Sequence, residues 1–144
     1  MPETKLHFTK DQLNSIALFA LDYYRQGKVS EAETMFKGLV IADNSFYGYA
    51  GLGAIALSQD PPRLEDAFTY LSIATDMKPE DPSAHANLGE VLLRQSKFQE
   101  AAGQFQKAIE LDPQGHDAGA NRARAMLAGL QLMVTEHQRM NGTA

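Results

Sequence analysis

Apolar side chains recur every three or four positions through most of the chain, the spacing expected of helices that bury one face. Short breaks rich in glycine, proline or asparagine interrupt this spacing at regular intervals. The pattern therefore predicts an all-α protein in which helices of similar length alternate with short turns. The predicted helices span about residues 10–26, 29–42, 45–58, 62–77, 82–95, 98–111 and 117–140.

Helix-start signals agree with this segmentation. Thr9-Lys10-Asp11-Gln12 has the form of a capping box, and Asp81-Pro82 places an N-cap residue before a proline suited to the first helical turn. Asp112-Pro113 is expected to close the sixth helix.

The chain also repeats itself. Ala67 and Ala101, and likewise Pro79 and Pro113, are 34 positions apart. Leu52-Gly53 and Leu88-Gly89 are 36 apart because Gln59-Asp60-Pro61-Pro62 lengthens one turn. A weaker copy, without the closing proline, runs from about Leu13 to Asn44. Such a period is typical of stacked helical hairpins.

Small side chains lie where the two helices of each repeat are expected to cross, and larger side chains fill the space beside them. The small residues are Ala32, Gly53, Ala67, Gly89 and Ala101, and the larger ones are Phe36, Leu71 and Phe105.

These spacings resemble the tetratricopeptide-repeat (TPR) consensus, most clearly over residues 82–113. The resemblance implies an α-solenoid of three TPR helix-turn-helix repeats plus a C-terminal capping helix, in a single domain spanning 1–144. The expected repeats are about 13–45, 46–81 and 82–115, and the capping helix is about 117–140.

The predicted capping helix carries Ala120, Ala123, Leu127, Leu130 and Val134 on one face. Its further apolar residues either complete the cap or contribute to a homodimer contact, and the sequence leaves both alternatives open. These further residues are Leu132, Met133 and Met140.

Composition narrows the function classes. The chain has no cysteine, a formal net charge of −5 and scattered basic residues, which fits a reducing compartment and argues against a nucleic-acid partner. No apolar run is long enough for a membrane span and the N-terminus lacks a signal-peptide core, so a cytoplasmic location is expected. The four histidines are far apart and no metal, cofactor or catalytic motif occurs, so no enzyme activity is expected.

In TPR proteins the first helix of each repeat lines a concave groove, and the resemblance implies which residues contact a protein or peptide ligand here. Several of them could instead pack between neighbouring repeats, and that alternative stays open. The lysine, asparagine and arginine clamp of chaperone-binding TPR domains is absent, because Ala17, Leu21 and Gly51 occupy its positions. The expected groove residues are Leu21, Tyr24, Arg25, Tyr47, Ala50, Ala54, Leu57, Asn87, Glu90 and Leu93.

The first-repeat block Ala20-Leu-Asp-Tyr-Tyr-Arg-Gln-Gly27-Lys28, with Glu31-Ala32 and Leu52-Gly53-Ala54, is similar to the class II chaperones of bacterial type III secretion, the SycD/LcrH translocator-chaperone family. The resemblance covers about residues 13–135. It implies a cytoplasmic chaperone that holds a segment of an apolar secreted translocator protein in its groove. The alternative is a general TPR scaffold in a multiprotein complex.

Overall fold

The computed structural model describes residues 7–142, which form seven α-helices and, within that range, no β-strand. Each predicted helix is present, and the bounds agree to within two residues. The helices are α1 (Lys10–Arg25), α2 (Val29–Asp43), α3 (Phe46–Ser58), α4 (Leu64–Met77), α5 (Pro82–Arg94), α6 (Phe98–Leu111) and α7 (Ala118–Met140).

The helices stack as three hairpins, α1 with α2, α3 with α4 and α5 with α6, and each hairpin packs on the next. Helix α7 closes the stack by packing against both α5 and α6. One apolar core joins α1, α2 and α3, and a second one extends from α3 to α7. The fold is therefore an all-α solenoid, as the sequence predicts.

The predicted small residues lie at the helix crossings. Ala32, Ala67 and Ala101 are fully buried. A Cβ added to Gly53 would lie 2.5 Å from Leu71, and one added to Gly89 would lie 2.5 Å from Phe105. Glycine is therefore required at both positions by the close approach of the paired helix.

The caps form as expected. The Thr9 hydroxyl accepts from the Gln12 N–H while the Gln12 side chain accepts from the Thr9 N–H, and the Asp81 carboxylate accepts from the Ala84 N–H at 2.9 Å. Helix α4 begins two residues later than predicted. The Arg63 N–H donates to the Ala56 carbonyl at 2.9 Å, which ties the lengthened turn back to α3.

A polar network attaches α7 to the last repeat. The Asp112 carboxylate accepts from the N–H groups of His116 and Asp117 at 3.0 and 2.9 Å. The Arg124 guanidinium lies 3.5 Å from the same carboxylate and also donates to the Asp112 carbonyl. The Ser83 hydroxyl donates to the Asp117 carboxylate at 3.0 Å, linking the first turn of α5 to the start of α7.

The apolar face of α7 is buried only in its first half. Ala120, Ala123 and Leu130 are buried, whereas Val134 is 54% exposed, unlike the prediction that it shares this face. The helix continues past the edge of α5 and α6, and residues 131–142 are exposed throughout. Leu132, Met133 and Met140 therefore do not complete the cap.

Candidate peptide-binding groove

An apolar cavity of about 390 Å³ lies between the first helices of the first two repeats. Four of its lining residues come from α1, four come from α3, and the Phe36 ring of α2 contributes the remaining surface. The residues lining this groove cavity are Asn14, Ala17, Leu18, Leu21, Phe36, Tyr47, Ala50, Gly51 and Ala54.

The cavity depends on the absence of a side chain at Gly51. A Cβ placed there would lie 2.5 Å from the Phe36 ring, which is itself 5% exposed. The ring can therefore pack directly on the α3 backbone and present an aromatic surface to the cavity. Glycine at this position serves the packing of two neighbouring repeats, as Gly53 does within one repeat.

The walls combine short and long apolar side chains. Ala17, Ala50 and Ala54 leave the space between α1 and α3 open, because each ends at a methyl group. Leu18 and Tyr47 border the same space and are 66% and 48% exposed. A concave apolar surface with few polar groups is suited to anchoring apolar side chains of a bound segment.

Four of the ten residues expected from the resemblance line this cavity: Leu21, Tyr47, Ala50 and Ala54. Tyr24 is partly buried against the core of α1, α2 and α3, and Arg25 is exposed in the last turn of α1.

Leu57 differs from its expected role. Its side chain is 6% exposed and belongs to the core that runs from α3 to α7, so it is not presented to a ligand. Its carbonyl accepts a long hydrogen bond of 3.4 Å from the Arg94 guanidinium.

The three expected residues of the third repeat lie outside the cavity. The Asn87 side-chain amide oxygen accepts from the Arg122 guanidinium of α7 at 2.8 Å. Glu90 forms an ion pair with Arg94 at 2.7 Å, and Leu93 is partly buried against the core. Helix α7 thus contacts α5 at the position where the groove of the first two repeats would continue.

The cavity also contains residues that the sequence analysis did not assign to a ligand. Asn14 and Leu18 were not singled out, Ala17 and Gly51 were named only as clamp positions, and Phe36 was assigned only to packing. The repeat register carries a signal for the first two. Asn14, Ala17, Leu18 and Leu21 are spaced about Ala20 as Tyr47, Ala50, Gly51 and Ala54 are spaced about Gly53. Aligning the small crossing residues would have placed both sets on one surface.

Two buried titratable residues outside the cavity, His85 and Asp112, have structural partners. The ring of the buried His85 lies with Nδ1 2.8 Å from the Gln104 side-chain oxygen and Nε2 2.8 Å from the Pro79 carbonyl. The hydrogen bond from the Asp117 N–H holds the pKa of Asp112 below its ordinary value, and the His116 N–H and Arg124 act in the same direction against the opposing effect of burial. Within residues 7–142, no group of acidic and histidine side chains is placed to hold a metal ion.

Comparison with known sequences connects this geometry to a repeat family. The tetratricopeptide-repeat profile matches residues 63–116, which span α4, α5 and α6. A search of curated protein sequences gives no match.

Solved structures that are similar to this chain superpose on most of its length. The translocator chaperone SycD of Yersinia enterocolitica superposes with a TM-score of 0.77 at 23% identity, covering 90% of each chain. PcrH, crystallised with the chaperone-binding region of PopD, gives a TM-score of 0.76 at 25% identity and covers 90% of this chain and 98% of its own.

The chain has a tetratricopeptide-repeat fold similar to that of the type III secretion translocator chaperones.

The same fold occurs within a larger enzyme. The O-GlcNAc transferase of Thermobaculum terrenum superposes with a TM-score of 0.73 at 24% identity, and the match covers 86% of this chain but 23% of the transferase. The fold alone therefore does not separate a free-standing chaperone from a repeat region that serves another activity. Among the described helices, none is long and apolar enough to cross a membrane.

Proposed function

We propose that this TPR protein is a cytoplasmic chaperone that holds a short segment of an apolar secreted translocator in the groove cavity. The observation that carries the proposal is the open apolar cavity between α1 and α3, on a fold shared with chaperones crystallised with translocator segments. In this role the protein binds a polypeptide and catalyses no reaction.

The groove contacts that we propose are Leu21, Tyr47, Ala50 and Ala54, with Leu18 and Phe36 completing the surface. Apolar anchors of the guest segment would replace water in this cavity. The binding free energy would become more favourable by roughly 25 cal/mol for each Å² of apolar surface removed from solvent. Covering such anchors would keep an aggregation-prone guest from associating with other chains before export.

Co-expression with an apolar translocator encoded by the same genome tests this function. The wild-type chain is expected to keep the translocator soluble in a 1:1 or 2:1 complex. Leu21→Asp should abolish the complex, because it places a carboxylate in the cavity without a partner. Leu132→Asp is the matched control, since Leu132 is 71% exposed on the projecting part of α7.

Circular dichroism and thermal melting of both variants separate binding from folding. The proposal requires that Leu21→Asp loses the guest while it retains a helical spectrum. Retention of the guest by Leu21→Asp, or its loss from Leu132→Asp alone, would contradict it.

A general TPR scaffold is the second candidate. It is favoured by the match of residues 63–116 to the general repeat profile and by the similarity to the repeat region of a transferase. Affinity capture from the native cell that recovers only cytosolic assembly proteins would support this alternative.

A further inference from the structure

A second cavity, of about 240 Å³, lies beside the groove cavity where α1 and α3 begin. Lys10 and Leu13 of α1, Phe46 of α3 and Met77 at the end of α4 line it. Asn14 and Tyr47 line both cavities. A chain anchored in the groove cavity would thus pass over these two side chains directly into the second, which we call the rim cavity.

Phe46 and Tyr47 line the rim cavity, and a lysine outside its lining, Lys78, lies beside their rings. The Phe46 and Tyr47 rings meet edge to face with their centroids 5.4 Å apart. The Lys78 ammonium lies 5.2 Å from the Phe46 centroid and 5.5 Å from the Tyr47 centroid. Attraction to both rings holds the ammonium beside Tyr47, one of the two residues that line both cavities.

This ammonium retains its capacity to bind an anion. Within residues 7–142, neither Lys78 nor Lys10 forms an ion pair. An aromatic ring attracts an ammonium electrostatically, but the ammonium has three N–H donors and can still donate to a carboxylate. Lys78 is partly buried, so an anion that reaches it is screened less than on an open surface.

The charges around the rim cavity favour an acidic occupant over a basic one. Lys10 is cationic, Lys78 is adjacent, and Asp43 is the carboxylate among the lining residues. Helices α1 and α3 also start here, and their N-terminal ends carry partial positive charge. A basic side chain would meet two ammonium groups and one carboxylate, whereas an acidic side chain would meet two cationic partners and one carboxylate.

We propose that the rim cavity selects guest segments in which an acidic residue lies a fixed distance from the apolar anchor that fills the groove cavity. This inference rests on the proposed function, because it assumes a polypeptide guest in the groove cavity. Lys78 would then determine specificity by contributing an ion pair, and the groove cavity would contribute the apolar contacts.

Selection from a library of random peptides tests the rim cavity without knowledge of the native partner. The full-length wild-type chain, Lys78→Ala and Lys97→Ala would each be used to select phage-displayed peptides. Lys97→Ala is the matched control, because the Lys97 ammonium also lies over a ring, 5.4 Å from the centroid of Phe68, but borders neither cavity.

We expect the wild-type chain and Lys97→Ala to enrich peptides with an apolar anchor and an acidic residue at one spacing from it. Lys78→Ala should enrich the same apolar anchors without the acidic residue, and Lys78→Arg should restore the acidic preference. For one selected peptide, Glu→Gln should weaken binding to the wild-type chain about two- to fivefold, as expected for a partly exposed ion pair, and leave binding to Lys78→Ala unchanged.

Three results would overturn the proposal. Enrichment of apolar anchors with no acidic residue, or with an acidic preference that survives in Lys78→Ala, would reject selection by the rim cavity and leave the groove function intact. Failure to enrich any apolar anchor with the folded wild-type chain would reject both.

Discussion

At the residue scale, glycine and alanine determine where helices approach and where they stay apart. Gly53 and Gly89 remove the side chains that Leu71 and Phe105 would contact within a repeat, and Gly51 does the same for Phe36 between two repeats. Gly51 also borders the groove cavity, so its lack of a side chain affects both the packing and the shape of the cavity.

Alanine substitutions at two glycines separate the effect of close packing on stability from the effect of helix propensity. Gly51→Ala should lower the free energy of unfolding by about 1–3 kcal/mol through overpacking against Phe36, and should weaken guest binding. Gly103→Ala should raise the free energy of unfolding by about 0.5–1 kcal/mol, because a Cβ added there meets nothing within 4 Å. Urea unfolding of both variants measures the difference, and equal effects would show that Gly51 is not packed as described.

The alanines at the helix crossings allow a second prediction. Ala101 is fully buried, so Ala101→Leu should lower the free energy of unfolding by about 1–3 kcal/mol. Tyr47→Ala, at a half-exposed residue of the cavity, should leave the melting temperature nearly unchanged and weaken guest binding. An equal loss of folding from both would mean that Tyr47 is structural.

At the scale of single elements, α7 has a packed half and a projecting half. Leu130 is 8% exposed, whereas every residue from 131 to 142 is exposed. Ending the chain at Gln131 should therefore change the free energy of unfolding by less than about 0.5 kcal/mol. Leu130→Ala should lower it by about 2–5 kcal/mol, because the core keeps a cavity there. Thermal melting compares the two, and a large loss on truncation would contradict this division.

The stability that the attachment of α7 provides should decrease at low pH. Because hydrogen bonds and Arg124 lower the pKa of Asp112 in the folded state, its contribution to stability is complete above the ordinary aspartate pKa. It is lost as pH falls from that value through the lowered one. Asp112→Asn should destabilise the protein at neutral pH and flatten the acid limb of its stability curve. Urea unfolding of Asp112→Asn across this pH range tests the assignment. An acid limb equal to that of the wild-type chain would refute the role given to Asp112.

The helices were predictable to within two residues because their signals are local: capping residues, turn glycines and apolar spacing. The extent of the groove could not be predicted from the sequence. Whether α5 presents Asn87 to a ligand depends on Arg122, and the position of α7 depends on the contact between Ser83 and Asp117, more than 30 residues apart. Contacts at that separation have no local signal in one sequence, and the same holds for the burial of Leu57.

At the scale of the whole molecule, the stack divides into two parts that differ in packing. The first two repeats form the open groove cavity and the rim cavity, while the third repeat is packed against α7. The guest is therefore expected to contact α1 and α3, and the third repeat to act as the stable end of the solenoid.

Site-specific photocrosslinking in the co-expressed complex tests this account most directly. The photoreactive residue p-benzoylphenylalanine would replace Leu18, 66% exposed at the groove cavity, or Ile41, 86% exposed on α2 and not among the cavity residues. Mass spectrometry should find crosslinks from position 18 to one apolar segment of the translocator and none from position 41. An intact complex that crosslinks from position 41 and not from position 18 would contradict the account.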